Sequence, residues 1–150
     1  MYPILRDAPK IRATMIEVSG SPHDRLAALS AALLHLHKSL LDAERAAYER
    51  DVARIASTGQ YLQLVLGDPW FAWLREISQF IVLVDEARDA DDPPIAALDA
   101  DRLIGAARAL LSPSEDGGSF HRRYYEALQR DPAAVLAHGA MMQALAQLEA

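Results

Sequence analysis

The chain has 150 residues, an apolar fraction of 51%, a net charge of -6 and no cysteine. That length suits one domain with a core of ordinary size. The missing cysteines exclude disulfides, thiol catalysis and zinc–thiolate sites. The acidic balance argues against nucleic acid, whose binding is largely electrostatic. A local basic patch at Arg122-Arg123, beside Tyr124 and Tyr125, is flanked by Asp116 and Glu126.

Residues 1–20 read as an N-terminal arm in which Met15–Val18 fits a short strand or an extended tail. The arm lacks the basic start and apolar stretch of a secretory signal, and no run approaches the roughly 18 apolar residues of a membrane span. A cytoplasmic protein that does not engage membranes is the expectation.

Ser21-Pro22-His23-Asp24 is the first clear helix start. Serine caps, proline fits the first helical position, and an acidic residue suits the first turn. The helix should run to about Arg54 or Ile55 and stop before Ser57-Thr58-Gly59. A short helix is expected around Tyr61–Leu66. Asp68-Pro69 should open the next one, through Trp70, Trp73, Ile77, Phe80 and Val84. Loops follow at residues 89–94 and 114–118, with helices from about Ala100 to Leu111 and from about Phe120 to Gln129. Ser112-Pro113 could cap one turn inside a loop. Asp131-Pro132 should open the last helix, which runs to about Leu148. Four such cap-and-proline pairs punctuate the chain consistently.

At about 100° per residue, Leu26, Leu29, Leu33, Leu36, Leu40 and Ala47 share one face of the first helix. Leu34, Leu41, Tyr48, Val52 and Ile55 widen it. His35, Lys38, Asp42, Arg45 and Glu49 lie opposite. Further stripes run through Leu103, Ile104, Ala107, Leu110 and Leu111, and through Val135, Met141, Met142, Leu145 and Leu148. Four amphipathic helices with short connections predict an all-α domain over residues 21–150. Its expected form is an antiparallel four-helix bundle elaborated by the two short helices.

Two histidines fall on apolar faces. His37 sits on that of the first helix and His138 on that of the last, while Glu44 follows His37 by seven residues. Polar groups in a helical core cost stability unless paired or binding something. An interhelical hydrogen-bond network with Tyr48 or Arg88 would satisfy them. A pocket for an organic ligand, a haem or a metal is the alternative. The Glu-x-x-His and His-x-x-x-His patterns of helix-bundle metal sites are missing, so no metal or cofactor is expected.

Three more places could bind. Trp70 or Phe71 could line a pocket, although Phe71, off the apolar face, should pack on a neighbouring element. Arg122 and Arg123, after Gly117-Gly118-Ser119, could hold an anion, since arginine forks suit carboxylate and phosphate. No Gly-x-Ser-x-Gly elbow surrounds any serine. An enzyme is therefore the weaker expectation. A non-enzymatic interaction module, forming a homodimer or meeting another protein, is the leading one. The alternative is a ligand-binding bundle with a pocket near His37, Glu44 and His138, reached by Tyr48 and Trp70.

Leu36–Glu49, Asp68–Arg75 and Arg123–Gln129 resemble segments of small all-helical bacterial proteins of unassigned function. The resemblance spans about residues 33–138. It implies a bacterial origin and transfers no activity, cofactor or catalytic residue.

Overall fold

A computed structural model describes residues 20–150. The expectations for the N-terminal arm therefore lie outside the described residues. Those described form only helices and loops, apart from one isolated bridge between Asp91 and Pro94. In chain order the helices are α1 (Pro22–Asp51), α2 (Thr58–Gly67), a 3-10 turn η1 (Ala72–Leu74), α3 (Arg75–Asp89), α4 (Ala97–Leu110), α5 (Ser119–Arg130) and α6 (Pro132–Glu149). None of these helices is long and apolar enough to cross a membrane.

Capping chemistry starts three of them. Ser21 Oγ accepts from the Asp24 amide at 3.0 Å, with Pro22 in the first turn. Ser57 Oγ accepts from the Gln60 amide at 3.1 Å. Asp131 Oδ1 accepts from the Ala133 amide at 2.8 Å, ahead of α6. Each side chain satisfies an amide that the helix itself cannot reach.

Asp68-Pro69 behaves differently. Asp68 Oδ1 does accept from the Trp70 amide at 2.8 Å, yet the chain then makes tight turns, Phe71 N to Asp68 O and Leu74 N to Phe71 O. The α-helix starts only at Arg75. In 3-10 geometry residues three apart eclipse one another, so Phe71 and Leu74 stack on one side and both are buried. Ser112-Pro113 caps no helical turn either: Ser112 Oγ donates back to Arg108 O at 2.8 Å and closes α4.

Helix α1 is the central element, packed chiefly against α3 and α6, with α4 beside it. Its buried stripe is Leu26, Leu29, Leu33, Leu36, Leu40, Ala43, Glu44 and Ala47. Each fully buried leucine contributes roughly 2 kcal/mol of transfer free energy. Ile77, Ile81 and Val84 of α3 and Ile104 and Ala107 of α4 complete that core. Leu34 and Val52 are exposed, because α1 ends at Asp51 and its apolar face is narrower than expected. On α6 the buried positions are Ala134, Ala137, Met141 and Leu145, not Val135. Met141 and Leu145 face the core as expected, Met142 and Leu148 pack beside them, and Val135 alone of the expected stripe turns outward.

α5 packs on α6 and η1, and α2 touches mainly η1. Phe71 is 1% exposed and sits between Tyr48 and Tyr61, with ring centroids 5.8 and 6.0 Å away. It thereby pins α2 to α1. Ser30, also buried, ties α1 to α3 by donating to Asp85 Oδ1 at 2.6 Å.

Candidate functional site

The sequence-derived polar residues occupy three separate places. His37 and His138 stand at the edges of their buried stripes, both half-buried rather than in the middle of an apolar face. Glu44 alone is fully buried, at 1% exposure. Seven residues return a helix to within about 20° of the same direction. His37 and Glu44 therefore share a face of α1, and the neighbouring elements decide which one is covered. No group of three His, Asp or Glu side chains suited to a metal occurs among the described residues.

At the first place, Glu44 Oε1 accepts from Arg130 Nη2 at 2.5 Å. Trp70 Nε1 donates to the Glu44 backbone carbonyl at 3.2 Å, and Tyr48 meets Trp70 edge-on at 5.8 Å. Arg123 Nη2 donates to Trp70 O at 3.2 Å, and its guanidinium lies 6.0 Å from the Trp73 ring. Glu44, Tyr48, Trp70 and Arg123 thus belong to one polar girdle where α1, η1 and α5 meet. Burial pushes the Glu44 carboxyl above its ordinary value, and the positive charges of Arg130 and Arg123 oppose this only in part. Glu44 Oε2 and Trp73 Nε1 are both buried without a hydrogen-bond partner among the described residues. An unsatisfied buried group costs stability.

Arg130 went unnoticed in the sequence, although it follows Arg123 by seven residues and so shares its face of α5. Arg122 is exposed while Arg123 is committed to Trp70.

At the second place, the Tyr124 hydroxyl and His138 Nδ1 are hydrogen-bonded at 2.6 Å, with the rings edge-to-face. Tyr124 is fully buried. Burial raises its phenol well above the ordinary range and lowers the His138 imidazole, so both stay neutral. This pair satisfies two polar groups within the core.

The third place is a cleft of about 340 Å³. α1 contributes His37 and Leu41, and α2 contributes Val65 and Leu66. Phe71 and Leu74 come from η1 and the turn before it. α3 adds Arg75, Ser78 and Gln79. Burial lowers the His37 imidazole, and a hydrogen bond with the Leu74 backbone offsets part of that. Arg75, Ser78 and Gln79 stand at i, i+3 and i+4, a spacing that places them on one helical face. Nothing local in the sequence says that α2 lies opposite that face, so they escaped notice.

Both histidines carry a testable consequence. Their folded pKa values lie below the ordinary value of 6.5. Their contribution to stability is therefore complete above that value and is lost as pH falls through the folded pKa values. The melting temperature should drop as the solution is acidified below about pH 6.5. His138→Gln, measured by thermal denaturation across that range, should show a shallower drop. An unchanged slope would mean that His138 titrates alike folded and unfolded.

No protein-family model matches the chain, and no curated protein or solved structure matches it. The functional reading rests on the geometry alone.

Proposed function

We propose that the protein is a non-enzymatic binding module and that its ligand site is the cleft beside His37. The carrying observation is the cleft itself, a concave, mainly apolar space with a few polar groups in its lining. Pockets for small molecules have that character and range over roughly 300–1,000 Å³. Its volume fits a ligand at the small end of that range. Ser78 Oγ donates to Arg75 O at 3.0 Å, within its own helix. This favours binding over nucleophilic chemistry at His37. Glu44 and His138, expected beside His37, serve in this reading as interhelical ties. The packing of α1 against α3, α4 and α6 also supports our proposal that the long helices form an antiparallel four-helix bundle.

Leu41→Trp tests the reading. An indole at that half-buried wall fills the cleft, with a cost to stability of about 1 kcal/mol or less because one side is open. The variant should keep its melting temperature within a few degrees and lose binding of 1-octanol, an uncharged amphipathic probe. Retained binding would place the site elsewhere.

Self-association into a homodimer is the second reading. The adjacent pairs Val82–Leu83 and Val135–Leu136 are solvent-exposed, with Leu136 at 76%. Contiguous exposed apolar surface marks interaction sites. Light scattering should then report a dimer that Leu136→Glu converts to a monomer. A monomeric wild-type chain would remove this reading.

A further inference from the structure

We infer that the cleft beside His37 takes a small amphipathic monoanion, a molecule with an apolar body and one carboxylate. The inference rests on the binding-module reading and adds the class of ligand. Leu41, Val65, Phe71 and Leu74 form an apolar wall that suits a hydrocarbon or aromatic body. Both ionisable groups among the lining residues are basic, His37 and Arg75. This is notable in a chain whose net charge is -6. A cation would find no carboxylate in the lining to hold it.

Arg75 supplies the recognition. Its Nη2 donates to Leu66 O at 2.6 Å, which closes the end of α2 and holds the guanidinium against the cleft. A guanidinium carries five N–H donors in a rigid fork, so the others remain for a ligand. No ion pair engages Arg75 among the described residues. Gln79, one turn further along the same face, brings an amide donor to the lining. Arg75 and Gln79 therefore attract an anion, while the apolar wall attracts a hydrocarbon.

Isothermal titration of the full chain at neutral pH, with octanoate, 1-octanol and octylamine, tests this. These probes share one tail and differ in the head. Octanoate should bind about tenfold more tightly than 1-octanol, the scale of one charge-assisted hydrogen bond. Octylamine, protonated at that pH, should bind most weakly. Arg75→Gln removes the charge and should reduce octanoate to the affinity of 1-octanol. Gln79→Glu should weaken octanoate and strengthen octylamine. If 1-octanol binds as well as octanoate, or the preference for octanoate survives Arg75→Gln, the anion assignment is overturned and the cleft reading stands. If no probe binds, or octanoate binds Leu41→Trp unchanged, the cleft reading falls and this inference with it.

Discussion

Phe71→Ala should lower the unfolding free energy by about 3–5 kcal/mol, the usual cost of truncating a fully buried phenylalanine. Phe71 is wedged between Tyr48 of α1 and Tyr61 of α2 while it also walls the cleft. Its loss removes buried area and the contact that pins α2. For a chain of this size the melting temperature should fall by roughly 10 °C. Urea denaturation followed by circular dichroism gives the energy, and hydrogen exchange gives its distribution. Amides of Tyr61–Leu66 should lose more protection than those of α6, since α2 has no buried residue of its own and depends on the turn before η1. A loss below about 1 kcal/mol, the range of ordinary surface changes, would show that α2 is held by something other than Phe71.

Arg130→Ala should cost about 2 kcal/mol at neutral pH. Removing one partner of a fully buried ion pair costs roughly 3–5 kcal/mol. The Arg130 side chain is 33% exposed, so water screens part of the interaction and the figure is discounted. Glu44→Leu should be much cheaper, because the charge left behind is the one that solvent can reach. The two halves of the pair are thus unequal.

The defect in Arg130→Ala should also fade with acid. Glu44 has a folded pKa above its ordinary value of 4.5. A carboxyl shifted that way contributes stability that is fully present below the unfolded value and lost as pH rises through the folded one. Without Arg130 the folded value rises further and the recoverable window widens. Denaturation curves at neutral pH and near pH 4.5 should show the difference between variant and wild type shrinking. A difference independent of pH would mean that Arg130 matters for packing by its stem and not for its charge.

The helix starts at Pro22 and Pro132 were legible because capping is local, decided within three or four residues, whereas Ser57, read as following the first helix, caps α2, which starts at Thr58, ahead of the expected Tyr61. Asp68-Pro69 carries the same local signal and yields a 3-10 turn instead. There Phe71 packs against Tyr48, twenty-three residues away, a contact that no local signal reveals. On α6 only Val135 departs from the expected stripe. Alanine at positions 133, 134, 137 and 140 gives the helix a weak apolar direction, and neighbours settle which stripe turns inward. His37, Glu44 and His138 were visible as polar residues on apolar faces, but sequence spacing could not say that each has a separate partner. Arg130 and Arg75 were harder still. Each acquires its role only once α5 or α2 is placed against another element.

The most direct test of the ligand site is a titration with 1-octanol of protein carrying labelled leucine and valine methyl groups, followed by heteronuclear NMR. The cleft reading predicts shifts at the methyls of Leu41, Val65, Leu66 and Leu74, with those of exposed Leu98 and Leu136 unmoved. Shifts at Leu98 or Leu136 with none around His37 would contradict it.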